Sequence, residues 1–279
     1  NRPDYSLTVY DQYVIQNRSY SGNNISTLLS GDTCYRIEPS TIGFLLSHQD
    51  ASNYADGMSY MFYDSSGSLL GLAYIVKPTG SKDFYSPLGL DQFAASNYVN
   101  YTNTFTGYSG NIASYTMNTY NSAGSPVQSS NKICFKLNTD CSMYEVFNIM
   151  WKDRYGSYIS YPFIYMSRKN IESDRKTYYK QEGNWNDDTF QYYDYDRGET
   201  NFYTQSKNSY VVNSGWLYQF ETTLMEDLMQ STDVYLQTPD NRLYPCMIND
   251  TSVELFKEIN EQIFSYTFNL RVAFNEFRF

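Results

Sequence analysis

The sequence predicts a mainly β protein, built from antiparallel β-sandwich domains with one or two short flanking helices. Among its 279 residues are 31 Tyr and 17 Phe, and aromatic residues favour the half-buried surfaces of strands. Short apolar runs are separated by segments rich in Asn, Ser, Thr and Gly, which are the residues of turns. The length fits one large domain or two smaller ones.

The first 130 residues are predicted to form an N-terminal β-rich region. Its clearest element is a hairpin, in which strands at 58–63 and 69–76 flank a turn at 64–67 that contains Gly67. Residues 95–130 are dominated by Asn, Ser, Thr, Gly and Tyr, and we expect them to form loops or edge strands. One or two strands are expected to contain Ile112, Tyr115, Met117 and Tyr120.

Residues 131–279 are predicted to form a C-terminal β-sandwich with a helix near 220–229. Phe220, Leu224, Met225 and Leu228 recur at helical spacing. We expect a polar loop at 181–200 and a short strand at 209–213. The remaining predicted strands lie at 133–137, 143–151, 158–166, 234–237, 242–249 and 263–274.

The predicted hairpin at 143–166 is expected to be a main element of the fold. Trp151 shares one strand face with Phe147 and Ile149, and this face is predicted to close the core. Tyr144 lies on the opposite face, which needs a cover from the N-terminal region or from a neighbouring subunit. Gly156 stands at the tip of the turn, where a positive φ favours glycine.

The aromatic residues outside this core allow two functional interpretations. Exposed Trp and Tyr stack on sugar rings in carbohydrate-binding modules, whereas in an assembling protein they fill the contacts between subunits. Trp185 lies in the polar loop, and we predict that it is a contact residue.

The sequence predicts neither enzymatic activity nor a cofactor. Its one histidine, His48, has no Gly-x-Ser-x-Gly motif to accompany it, and no P-loop, dinucleotide fingerprint or HExxH motif is present. Because most general acid–base chemistry near neutral pH uses histidine, this scarcity favours a non-catalytic protein.

The segment at 181–200 carries a cluster of carboxylates that allows three interpretations. Asp194 and Asp196, followed by Gly198, partly match a calcium loop, and paired carboxylates also cleave glycosidic bonds. We expect the third interpretation, a solvated acidic loop without a metal. The net charge of −10 argues against general nucleic-acid binding.

The four cysteines are predicted to be reduced thiols of a protein made in a cytosol. Cys34, Cys134, Cys141 and Cys246 form no CxxC pair and lack a histidine-rich partner segment, so a zinc site is not expected. No apolar run approaches the ~18 residues of a transmembrane helix, and no membrane span is predicted.

One stretch resembles a known group of proteins. Residues 147–163, FNIMWKDRYGSYISYPF, resemble a hairpin found in virion proteins of tailed phages that infect Bacteroidetes, including the crAss-like gut phages. The basic segments at 167–170 and 175–180, and the order of elements after residue 220, are also similar. The resemblance covers residues 133–279.

This resemblance implies a β-sandwich with a flanking helix, as in phage tail-tube and ring-forming proteins. We therefore expect a non-enzymatic structural subunit of a tail ring, tube or hub. It would be assembled in the bacterial host cytoplasm and located in the virion, with copies of itself and neighbouring virion proteins as partners. The alternative is a receptor- or glycan-binding tail fibre or spike module, whose partner would be a host glycan.

Overall fold

A computed structural model describes residues 25–26, 29, 34–48, 57–76, 83–91, 101–102, 112–120, 132–137, 143–181, 183–186, 188–191, 193, 198–249, 263–274 and 276–278. The described chain is mainly β, with predominantly antiparallel sheets. Its one described helix, α1 (Gln219–Gln230), covers the predicted 220–229. The predicted β-rich fold class is thus confirmed at this level.

The larger sheet has eleven strands, and all its pairings are antiparallel. Its main path runs, in spatial order, through β1 (Ile25–Ser26), β3 (Phe44–His48), β11 (Tyr158–Phe163), β10 (Phe147–Lys152), β17 (Val234–Gln237), β18 (Leu243–Ile248), β20 (Thr267–Val272), β15 (Glu199–Asn213) and β12 (Arg168–Tyr179). Outside this path, β6 (Asp83–Pro87) pairs with β3, and β21 (Glu276–Arg278) pairs with β15.

The second sheet has six strands: β2 (Cys34–Ile37), β9 (Ile133–Leu137), β8 (Ser114–Tyr120), β4 (Gly57–Tyr63), β5 (Leu69–Val76) and β7 (Tyr101–Thr102). The β4–β5 pair is the predicted hairpin. Two small pairs complete the described strands, β13 (Asn184–Asn186) with β14 (Thr189–Gln191), and β16 (Leu217–Tyr218) with β19 (Ile263–Phe264).

The buried side chains of both large sheets and of α1 belong to one hydrophobic cluster. Strand pairing crosses residue 130 in both sheets, since β9 pairs with β2 and β8, and β3 pairs with β11. The division into residues 1–130 and 131–279 stays a prediction.

The turn between β10 and β11 is fixed by buried polar groups. Trp151 is fully buried, and its Nε1 donates to Asp227 Oδ2 of α1 at 3.1 Å. Arg154 Nε, in the turn, donates to the other oxygen of the same carboxylate at 2.9 Å. Asp153 Oδ1 accepts the backbone N–H groups of Tyr155 and Ser157, and Gly156 has a φ of 94°. These contacts explain the sequence pattern of residues 151–157 as a device that attaches the turn to the helix.

A second buried pair ties the same hairpin to the start of α1. Tyr161 Oη donates to Glu221 Oε1 at 3.1 Å, and Glu221 Oε2 accepts the backbone N–H of Tyr218 at 2.9 Å. Burial, with the nearby Glu221 carboxylate, raises the pKa of Tyr161 well above its ordinary value. The phenol therefore stays protonated and remains a donor.

The prediction of four reduced thiols is wrong. Cys34 and Cys134 face each other in the parallel β2–β9 pair and form a disulfide across a sequence separation of 100. The sequence does not predict this cysteine pair, because β2 and β9 become neighbours only in the folded sheet. Cys246 is free and buried, and burial raises the pKa of its thiol to about 11. Cys141 lies outside the described residues.

Several predicted boundaries also need correction. β10 begins at Phe147, so Tyr144 precedes the strand rather than belonging to it. The last long strand is interrupted at Ser265 and Tyr266, between β19 and β20. The predicted loop at 181–200 contains the small hairpin β13–β14, and the short strand predicted at 209–213 is the end of the fifteen-residue β15.

Candidate assembly interface

A long hairpin, residues 168–211, forms one edge of the larger sheet, and we call it the arm. β21 pairs with β15 at residues 204–206, and the part of the arm farther from the body is two-stranded. β12 pairs with β15 from Arg168 opposite Val211 to Tyr179 opposite Glu199. The hairpin β13–β14 lies at its far end and is called the tip. At roughly 3.3 Å per residue, the twelve residues of β12 span about 40 Å.

Both faces of β12 are exposed. All twelve of its residues are exposed, including Ile171 at 61% and Tyr179 at 83%. β12 is also the last strand of its sheet, so no other described strand pairs with its outer edge. Exposed edge strands of this length are templates for pairing with another chain.

The arm holds itself together by contacts between its own two strands. Lys169 Nζ lies 5.7 Å from the ring centre of Tyr210, and Lys176 Nζ lies 5.7 Å from that of Tyr203. These cross-strand contacts contribute modestly, because exposed cation–π pairs are worth roughly 0.5–1 kcal/mol. An isolated two-stranded ribbon is marginally stable in water, so the arm gains from any partner that covers it.

Charge is distributed unevenly along the arm. Residues 168–180 contain five Lys or Arg and two Asp or Glu, which gives a net charge of +3. Residues 181–198 contain five Asp or Glu and one Arg, which gives −4. With −10 for the whole chain, the remaining residues sum to −9. The arm therefore has a basic stem on an acidic protein and an acidic tip.

An apolar cleft of about 270 Å³ opens at the foot of the arm, lined by Tyr165, Met166, Asn213, Gly215, Trp216 and Ser265. Trp216 is 60% exposed and Met166 is 48% exposed. Gly215 has a φ of 72°, and a Cβ at this position would lie 2.3 Å from Tyr165 Cδ2. Only glycine lets the Tyr165 ring pack so closely against the chain here.

Hydrogen bonds fix the polar side of this cleft. Asn213 Oδ1 accepts the backbone N–H of Gly215 at 2.8 Å and the hydroxyl of Ser265 at 3.2 Å. Asn213 Nδ2 donates to Thr267 Oγ1 at 2.9 Å. The cleft is therefore formed in the free chain, as binding sites usually are.

The residues singled out from the sequence fall in different places. Trp151 and Gly156 belong to the buried hairpin, and Tyr144 is 42% exposed before β10. The backbone of Trp185 lies in β13 at the tip, opposite Phe190, while its side chain is outside the described part. The structure does not bring these four together, and the contact role of Trp185 stays a prediction.

Sequence reasoning missed both the arm and Trp216. The sequence contains no Gly or Pro at 168–181 or at 199–213. This absence was a signal for two long strands. Alternation could not reveal them, because β12 has no buried face. Trp216 follows Gly215 between two predicted elements, and nothing in its local sequence pattern distinguishes an exposed ring from a buried one.

Within the described residues, no group of three or more His, Cys, Asp and Glu side chains is placed to hold a metal ion. Asp194 and Asp196 of the partial calcium motif lie outside this part, as do the side chains of Trp185 and His48.

The described part of the chain also contains no helix of the length and apolarity needed to cross a membrane. Comparison of the chain with protein-family models, curated proteins and solved structures finds no significant match.

Proposed function

We propose that this chain is a non-enzymatic structural subunit that assembles with neighbouring subunits through its arm. The observation that carries the proposal is the exposure of all twelve residues of β12 on a strand with an open outer edge. A strand without a buried residue contributes little to folding, because folding is driven by burial of apolar surface. Its aromatic and charged side chains are instead available for contacts with a partner.

The assembly we propose is a phage tail, in which the chain is a ring, tube or hub subunit with a β-sandwich body. Support comes from the resemblance of residues 147–163 to the hairpin of phage virion proteins. The contacts of Trp151, Arg154 and Gly156 give that pattern a physical meaning as a turn attached to α1. A repeated contact between unlike surfaces closes into a ring when its rotation permits.

The Cys34–Cys134 disulfide bears on where such a subunit resides. Disulfides persist in oxidising surroundings and are rare in a reducing cytosol. We propose that the subunit resides in the virion outside the reducing host cytosol, in surroundings where this bond persists.

The test is a chain with a shortened arm. Replacing residues 177–202 by Asn-Gly leaves Lys176 opposite Tyr203 and closes them with a two-residue hairpin turn. The β15–β20 and β15–β21 pairings are retained. We expect an unchanged melting temperature and a loss of assembly, measured by sedimentation velocity. A matched control replaces Leu69, an exposed residue of β5, by Ala. Assembly of the shortened chain at the normal concentration would refute the proposal.

The exposed Trp216 favours a second candidate function, a glycan- or receptor-binding module. An exposed indole beside Tyr165 and the amide of Asn213 has the side-chain types that bind sugar rings. A glycan array probed with the monomeric chain separates the two functions, because a module of this kind binds sugar without assembling. Loss of that binding in Trp216→Ala would favour the second candidate.

A further inference from the structure

We propose that the tip of one copy's arm binds in the Trp216 cleft of a second copy. The proposal rests on the assembly function proposed above and names the partner and the contact. It joins two surfaces that are both exposed on the same chain, one at each end of the arm. Apolar complementarity, charge and the length of the arm each support it.

The tip and the cleft have matching apolar character. Phe190 of β14 is 49% exposed, and Tyr193 beyond it is 46% exposed. The Phe190 ring lies against Gly183, where a Cβ would come within 2.4 Å of its Cζ, and this contact holds the ring at the tip surface. At about 270 Å³ the cleft is smaller than the roughly 300–1,000 Å³ of ligand pockets. It suits a single aromatic side chain.

The charges at the two surfaces are opposite. The sequence of residues 181–198, which includes the tip, has a net charge of −4, and Asp188 lies exposed between β13 and β14. The cleft is flanked by basic residues, since Arg168 and Lys169 follow Met166 at the foot of the stem. Arg168 is also opposite Val211, two residues before Asn213 of the cleft. Opposite charges around an apolar centre are the usual arrangement of a specific interface.

The length of the arm excludes binding within one copy. The tip lies beyond the far end of β12, about 40 Å from the foot where the cleft opens. Because β12 and β15 are paired over this whole distance, the tip cannot fold back to its own cleft. The occupant must come from another copy.

The contact therefore joins unlike surfaces, the tip of one copy and the cleft of another. A contact between unlike surfaces can be repeated from copy to copy.

A mixing experiment tests the contact. Phe190→Ala damages the tip but leaves the cleft, and Trp216→Ala damages the cleft but leaves the tip. We expect each variant alone to associate at least about 30-fold more weakly than the natural chain, the effect of removing one central aromatic anchor. Mixed in equal amounts, they should form a one-to-one complex, because one intact tip still meets one intact cleft. Sedimentation velocity measures all three samples.

Each outcome decides the proposal. Met166→Ala provides a second cleft variant should Trp216→Ala lower the melting temperature, and Leu69→Ala is the exposed control that should associate normally. Failure of the mixture to form the complex overturns the proposal, as does a natural chain that remains monomeric. If shortening the arm prevents assembly while Phe190→Ala and Trp216→Ala assemble normally, the arm function stands and the tip-to-cleft contact is wrong.

Discussion

Two neighbouring hairpins of this chain are built alike and placed in opposite surroundings. In β10 every residue except Lys152 is buried, whereas in β12 every residue is exposed. Both pair antiparallel with the next strand along the larger sheet. Backbone pairing is therefore common to both, and burial of side chains distinguishes them. The comparison indicates that the first hairpin stabilises the fold, and it supports the proposal that the second serves contacts with partners.

The buried hairpin is also tied to α1 by buried polar contacts. Asp227 of α1 is 3% exposed and accepts from both Trp151 and Arg154. Removing one partner of a buried carboxylate costs more than the bond itself, because the remaining charge loses its solvation without compensation. Mutations in the first hairpin should thus affect folding, and those in the arm should affect assembly.

Trp151→Ala should have the largest effect on folding. It opens a cavity in the core and removes a donor from Asp227, so we expect a loss of at least about 3–5 kcal/mol in the free energy of unfolding. The matched control is Trp216→Ala, which should change this free energy by less than about 0.5 kcal/mol. Denaturant unfolding of both variants measures the difference. Equal losses would show that burial does not separate the two regions.

Loss of the disulfide should have the next largest effect on the free energy of unfolding. This prediction extends the comparison to the six-stranded sheet. Replacing Cys34 and Cys134 by Ser frees a loop of about 100 residues in the unfolded chain, and we expect a loss of roughly 2–5 kcal/mol. Reduction of the natural chain should give a similar loss. Mass spectrometry without reductant should find the peptides of Cys34 and Cys134 linked. Alkylation of all four thiols in the purified, unreduced protein would contradict the pairing.

Gly156→Ala should lower the free energy of unfolding by less than loss of the disulfide does. Its effect should still be larger than that of Gly67→Ala. Both glycines have a positive φ, which costs an alanine roughly 1–2 kcal/mol. A Cβ at Gly156 would also lie 3.1 Å from Leu46 Cδ2, whereas nothing lies within 4 Å at Gly67. The difference between the two free energies of unfolding isolates this packing contact. If the two variants are equally stable, the contact with Leu46 does not affect the free energy of unfolding.

Ile171→Ala, on β12, should have the smallest effect on folding. Its side chain is 61% exposed, and we expect a change within about 0.5 kcal/mol. Ile149→Ala on β10 is the matched control, because Ile149 is fully buried and its truncation should cost about 2–5 kcal/mol. Thermal unfolding under identical conditions compares them. A large loss in Ile171→Ala would mean that the arm packs against the body.

The sequence predicts the elements rich in apolar residues and fails at the polar arm. Two β-prone runs around the turn at Gly67 located β4 and β5, and the helical spacing of Leu224 and Leu228 located α1. Trp151 was expected in the core and is fully buried. The arm carries no such alternation, because neither face of β12 meets a core.

Long-range pairing lay beyond the sequence for a related reason. Cys34 and Cys134 become neighbours only because β2 and β9 run side by side. The cleft likewise gathers Tyr165, Trp216 and Ser265 from three separate segments. Local periodicity contains no information about which distant segments meet.

Hydrogen–deuterium exchange of the chain, before and after assembly, tests the division of roles most directly. We predict that the amides of β10 and β11 exchange slowly in both states, because they are released only by global unfolding. The amides of β12 should exchange quickly in the monomer and become protected in the assembly, and the protection should extend to the tip. Strong protection of β12 in the monomer, or continued rapid exchange in the assembly, would contradict the role of the arm as the assembly element.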